Sequence, residues 1–127
     1  MCQTLIKNFF LPNNVLVERR WYVVYEVMDI ADLESIVLKE DKTTLIAYLI
    51  IDCYHCQTVE KYIDEIEREN SEVKVVRFKL KEDEAFSKRN KIFLYPVILI
   101  YKDGELKRRV EGYMSKKEIE ELIKPSD

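Results

Sequence analysis

Glycine and proline are scarce: the chain of 127 residues has two of the first and three of the second. No Ser/Gly linker, low-complexity tract or internal repeat occurs either. The composition therefore predicts one domain around one core, with disorder confined to the ends. Long hydrophobic runs are also missing. The longest, Leu45 to Ile51, ends at Asp52 and falls well short of the roughly 20 apolar residues that span a bilayer. Residues 1–11 lack the basic segment, long apolar segment and small-residue cleavage site of a secretion signal, so the expected location is cytoplasmic, with no membrane partner.

Neither sign of charge dominates. Lys and Arg total 21 against 24 Asp and Glu, for a net charge of -3, and the two signs are interspersed. No extended basic face exists to attract phosphate backbones, which argues against a nucleic-acid partner. The cluster Lys107-Arg108-Arg109 falls in a predicted strand, whose alternation divides it between two faces, and it reads as solvated surface. Three cysteines, an odd number, exclude a framework of structural disulfides.

Two of those cysteines sit in Cys53-Tyr54-His55-Cys56, directly after the apolar run and at the start of a helix-period segment with Val59, Ile63 and Ile66. A strand that hands two cysteines to a helix N-terminus puts the first sulfur beside unpaired backbone N–H groups and the positive end of the helix dipole. Both stabilise a thiolate. The chemistry this pattern predicts is thiol-disulfide exchange. Cys2 is left over and reads as incidental.

Along the chain, residues 1–20 show no sustained period, contain the turn cluster Pro12-Asn13-Asn14, and are read as an N-terminal arm; the domain proper is expected over 21–127. Trp21 to Val27, rich in aromatic and β-branched residues, predicts a strand, with Trp21 as packing. Asp29 is positioned to cap a helix through Leu38 whose stripe is Ile30, Leu33, Ile36 and Val37. Thr44 to Ile51 reads as a central strand covered on both faces, Cys53 to Glu69 as a helix stopped by Asn70-Ser71, and Val73 to Leu80 as a strand. A short helix is expected near Glu84 to Arg89. Pro96 to Tyr101 and Glu105 to Val110 form a hairpin about Asp103-Gly104. Gly112 ends it, and the capping box Ser115/Glu118 opens a terminal helix with Ile119, Leu122 and Ile123 buried.

This order resembles the thioredoxin fold over residues 22–124, an α/β arrangement with a central mixed sheet of four to five strands flanked by helices on both faces. The resemblance rests on Cys53-x-x-Cys56, Pro96 heading the penultimate strand, Lys102-Asp103-Gly104-Glu105, and Gly112 ahead of Ser115-Lys116-Lys117. It implies a cis bond between Tyr95 and Pro96 lying beside the cysteines, with the Tyr95 backbone receiving a substrate peptide like an added strand. It also implies Cys53 as nucleophile and Cys56 as the resolving thiol. Tyr54 reads either as an apolar rim for peptide substrates or as a plain surface tyrosine.

His55 occupies the place of histidine in protein disulfide isomerases, where it stabilises the thiolate by charge or hydrogen bond. Three departures from the thioredoxin pattern stand out. Asp52 replaces tryptophan and opposes thiolate formation. Ala47 replaces a buried aspartate that assists the resolving cysteine, which leaves Glu60 or Lys61 as the nearest ionisable groups, both read as solvated. Lys61 also replaces a kinking proline.

The reading that follows is an oxidoreductase with no cofactor beyond its Cys53–Cys56 pair and no metal, monomeric or weakly dimeric. Its partners would be disulfide-containing proteins and a thiol or reductase electron donor. The competing readings are an isomerase or oxidase favoured by His55, a metal-binding module, and a non-catalytic adaptor.

Overall fold

The computed structural model describes residues 14–17, 20–23, 27–37 and 42–124, the first two stretches and Ile36 as backbone only. The readings of Cys2 and the rest of 1–13, of Val24 to Glu26, of the Trp21 side chain and of Leu38 lie outside them.

Strands β1 (Asn14–Val17) and β2 (Arg20–Val23) pair antiparallel as a two-stranded hairpin, with Asn14 opposite Val23 and Val17 opposite Arg20. This corrects the expectation for the aromatic run. Its first residues are a strand, but their partner lies within the segment read as an arm, and the pair is separate from the main sheet. A partner two residues away closes with little loop entropy, and nothing in local periodicity says which backbone a strand will pair with.

The helix expected from Asp29 is a 3-10 turn, Ile30–Asp32, followed by the short α1 (Glu34–Val37). Asp29 makes no cap hydrogen bond. Its carboxylate instead accepts from Arg89 Nε and Nη2 at 2.9 and 3.0 Å and from Asn90 Nδ2 at 3.1 Å. The Ile30 amide, at the first position of the turn, donates to Asn90 Oδ1 at 2.7 Å. A buried asparagine sixty positions away thus satisfies one of the amides that the start of a helix leaves unpaired.

The main sheet comprises β3 (Thr43–Ile50), β4 (Val73–Leu80), β5 (Val97–Lys102) and β6 (Glu105–Glu111) in the order β4-β3-β5-β6. It is mixed: β3 runs parallel to β4 and antiparallel to β5, and β6 is antiparallel to β5. The helices are α2 (Tyr54–Glu69), α3 (Glu84–Asn90) and α4 (Lys116–Ile123).

The continuous apolar run of β3 is explained by cover on both faces. Ile46 and Tyr48 pack with Leu33 and Val37 of the α1 region and Phe86 of α3. Leu45, Ala47 and Leu49 pack with Val59, Ile63 and Ile66 of α2 and Ile119 of α4. Each such aliphatic side chain, fully withdrawn from water, contributes about 1.5–3 kcal/mol. Tyr48 stays in the core because its hydroxyl donates to the Met28 carbonyl at 2.6 Å.

The hairpin turn places both Asp103 (φ 54°) and Gly104 (φ 81°) in the left-handed region, the geometry that matches the twist of the flanking strands. Ser115 and Glu118 form the predicted reciprocal cap of α4.

Candidate active site

Because β5 is antiparallel to β3, the residues that leave β3 and those that enter β5 meet at one end of the sheet; Tyr48 stands opposite Val97. The cysteine turn and the proline loop therefore come together through topology. The first leaves β3 by a tight turn in which the Cys53 amide donates to the Ile50 carbonyl at 3.3 Å and Asp52 takes φ 69°.

Cys53 is the N-cap of α2, extended at φ -102°, and its Sγ accepts the Cys56 amide at 3.3 Å. The Gln57 amide, donating to the Cys53 carbonyl at 2.9 Å, starts the helical ladder. No acidic residue stands in the first turn of α2, and the acid nearest in sequence, Asp52, is exposed in the turn before the cap. Cys53 is half-buried, Cys56 is 1% exposed, and both are free thiols. The two sulfurs thus differ in environment: one at the surface beside amide donors, the other in the core cluster with Val59 and Ile63.

Burial, then the thiol-thiol hydrogen bond to Cys53, pushes the Cys56 thiol up to about 12, against a smaller lowering by the Ile50 amide, which donates to Cys56 Sγ at 3.3 Å. Ala47, buried in the same cluster, offers no carboxylate. Glu60, one turn past Cys56, is not the solvated residue expected: it is half-buried and bonded to Lys79 Nζ at 2.8 Å, with Arg77 Nε at 4.0 Å. Its negative charge adds to the rise at Cys56. Lys61 is exposed.

His55 is exposed, its ring 5.8 Å from that of Tyr54 and 5.6 Å from that of Tyr113. Tyr113 is steadied in turn by a 3.3 Å hydroxyl contact with Tyr62. The hydrogen bond described at Cys53 Sγ comes from the Cys56 backbone, so any effect of His55 on that sulfur runs through charge.

The Tyr95–Pro96 bond is cis. Pro96 is buried and Tyr95 half-buried, packed against both core clusters, with its hydroxyl 2.9 Å from Ser87 Oγ. The Gly112 amide donates to the Pro96 carbonyl at 2.8 Å, and Gly112 takes φ 94°, which few other residues adopt. A contact chain then joins the two halves of the site: Leu94 lies against Gly112, Tyr113 follows it, and Tyr113 meets His55.

Around this junction stands a rim of exposed apolar side chains: Ile51, Tyr54 at 76% exposure, Phe93 at 88%, Leu94 and Tyr113. Of these five, sequence reading singled out only Tyr54. The signal for the rest was their adjacency to the motifs, Ile51 one place before Asp52, Phe93 and Leu94 before Tyr95, and Tyr113 after Gly112.

Also missed were Glu111 and Arg109. Glu111 Oε1 accepts the Phe93 and Leu94 amides at 2.9 and 3.1 Å, and Oε2 pairs with Arg109 at 2.9 Å. Despite an opposing effect of partial burial, these bonds hold the Glu111 carboxyl below the usual carboxylate range. Arg109, read as solvated strand surface, donates to the Asn90 and Lys91 carbonyls at 3.1 and 2.8 Å. Among the described residues, no group of three or more His, Cys, Asp or Glu side chains comes together to hold a metal ion, and no helix is long and apolar enough to cross a membrane.

Comparison with known proteins agrees with this architecture. The family profile Thioredoxin matches residues 24–125. The chain is 32% identical over 72 residues to a thioredoxin of Listeria monocytogenes, covering 56% of this chain and 70% of that protein. It is 27% identical over 94 residues to thioredoxin Y1 of the Arabidopsis thaliana chloroplast, covering 73% of this chain and only 55% of that protein. Its fold is similar to that of mitochondrial thioredoxin 3 of Saccharomyces cerevisiae in the oxidized form, with a TM-score of 0.62 at 18% identity, covering 79% of this chain and 92% of that one. With the sheet order, the paired cysteines at a helix start and the proline loop beside them all in place, the chain belongs to the thioredoxin family.

Proposed function

We propose that the chain is a thiol-disulfide oxidoreductase acting on protein disulfides, with Cys53 as nucleophile and Cys56 as resolving thiol. The observation that carries this reading is the position of Cys53 Sγ at the N-terminus of α2, bonded to the Cys56 amide at 3.3 Å and half-open to solvent. The Cys53 thiolate attacks one sulfur of a substrate disulfide; that S–S bond breaks, a mixed disulfide forms, and the departing substrate thiolate takes up a proton. Cys56, having lost its proton, then attacks Cys53 Sγ. The Cys53–Cys56 disulfide forms as the mixed disulfide breaks, and the second substrate thiol leaves. A dithiol donor, small thiol or reductase, returns the pair to the reduced state.

In this reading the substrate peptide lies along the Tyr95 backbone edge, between the apolar side chains Tyr54, Phe93 and Leu94. Pro96 and Gly112 hold that edge through the 2.8 Å bond between them. The proposed setting is cytoplasmic, with the cysteine pair as the only redox group, no metal or other cofactor, no nucleic-acid or membrane partner, and a monomer or weak dimer as the working form.

One observation favours a second reading. Cys56 is buried beside Ala47, with its thiol pushed to about 12, which slows its attack on the mixed disulfide. A long-lived mixed disulfide suits an isomerase, and His55 would favour that direction by stabilising the Cys53 thiolate. Reduction of insulin by dithiothreitol tests the primary reading. Wild type should accelerate it, Cys53→Ser should abolish the acceleration, and Cys56→Ser should accumulate a covalent complex with substrate. An active Cys53→Ser chain would refute the assignment, and the equilibrium potential of the pair against glutathione separates reductase from isomerase.

A further inference from the structure

The stretch leading into Tyr95 and Pro96 is anchored at Ile92, which is buried and whose amide donates to the Ser87 carbonyl at 2.8 Å, but the next two side chains are in solvent: Phe93 and Leu94 are 88% and 60% exposed. On either side of Ile92 the backbone is held by polar bonds made by Arg109 and Glu111. Two positions apart on β6, they project from one face of the strand. Arg109 grips the start of the stretch through the Asn90 and Lys91 carbonyls, at 3.1 and 2.8 Å. Glu111 grips its middle, with one carboxylate oxygen receiving two successive amides, Phe93 at 2.9 Å and Leu94 at 3.1 Å. The Arg109–Glu111 pair at 2.9 Å locks the grips together. On the far side of Tyr95, the Gly112 amide fixes the Pro96 carbonyl at 2.8 Å. Tyr95 is thereby bracketed by two consecutive residues at the end of β6.

We propose that Glu111, held by Arg109, is the positioning residue that presents the Tyr95 backbone edge to an extended peptide bearing the substrate disulfide. The proposal rests on the reading of that edge as the peptide-binding strand. Two amides aimed at one oxygen fix the peptide planes on either side of Phe93, and with them the direction from which the chain enters Tyr95. Without that acceptor the two N–H groups turn toward water, and the edge samples orientations a substrate strand cannot join. Glu111 touches neither sulfur, so its loss acts on binding and leaves the electronic state of the cysteine pair as it was.

The test is steady-state reduction of insulin by wild type, Glu111→Ala and Glu111→Gln, with the potential of the Cys53–Cys56 pair measured alongside. Loss of both charge-assisted bonds in Glu111→Ala should raise KM about tenfold, with kcat within about twofold and the potential unmoved. Glu111→Gln retains an acceptor oxygen and should bring KM back to within about threefold of wild type. If the alanine chain does not fold, Arg109→Met takes its place and should raise KM in the same sense. An unchanged KM overturns the proposal, and so does a joint shift of kcat and potential. Wild type that reduces no insulin removes the proposed function itself, whereas active wild type with an indifferent Glu111→Ala removes only this role.

Discussion

The asymmetry between the two cysteines can be measured as a reactivity. An ordinary thiol titrates near 9.0, and burial of Cys56, together with its hydrogen bond to Cys53, moves it to about 12. At neutral pH that shift lowers the thiolate fraction about a thousandfold. The more basic thiolate is intrinsically the better nucleophile, by roughly twentyfold for a Brønsted slope of about 0.4–0.5, so the net expectation is a rate about fiftyfold below an ordinary cysteine. The assay is alkylation by iodoacetamide of a chain carrying Cys2→Ser and Cys53→Ser, followed by mass spectrometry across pH. Burial, the largest cause of the shift, survives those substitutions, while the hydrogen bond and charge of Cys53 are lost, so the thiol stays raised by a smaller amount. Steric blocking lowers the rate by the same factor at every pH; ionisation control makes it keep climbing, about tenfold per pH unit, past the pH at which an ordinary thiol levels off. A plateau near pH 9, or a rate equal to that of a free cysteine, would refute the reasoning. The same shift acts on stability. The folded chain keeps the Cys56 proton between about 9 and 12 while the unfolded chain releases it, so this contribution is complete below that window and is lost as pH rises through it.

His55→Ala should make the Cys53–Cys56 disulfide a weaker oxidant, a change of about 30 mV for each 1.4 kcal/mol of lost thiolate stabilisation; a glutathione equilibrium reads the value, and an unmoved or more oxidising potential would deny His55 the role. Asn90→Ala should cost about 1–3 kcal/mol, because it strips the Ile30 amide of its acceptor and breaks the bonds to Asp29 and the Phe86 carbonyl. Urea denaturation at constant m value measures it, and a loss below about 0.5 kcal/mol would show that water replaces the side chain without penalty.

Elements governed by nearby residues were readable in advance. β3 announced itself by a continuous apolar run, α2 by the spacing of Val59, Ile63 and Ile66, the hairpin by Asp103-Gly104, and α4 by Ser115 and Glu118. The cysteine turn was legible for the same reason: strand, cap and helix are contiguous.

What escaped depends on contacts between distant positions. Asp29 has the local profile of a helix cap, yet Arg89 and Asn90 compete for its carboxylate across the fold and win with three hydrogen bonds. Arg109 looked like one of three surface cations until β6 was laid beside the end of α3. The partner of Trp21 to Val23 was hidden because alternation marks a strand without naming its neighbour. The apolar rim beyond Tyr54 was missed because exposure has no period; its one mark on the sequence is adjacency to the motifs.

Asp52 closes the turn before Cys53 with a left-handed backbone. Aspartate and asparagine enter that region more readily than other side chains, and glycine enters it freely. A β-branched residue, ill suited to that torsion, would tend to swing the following sulfur away from the helix start. Torsion therefore acts beside charge in setting what this position admits, and an engineer seeking to retune the neighbouring thiol has to satisfy both.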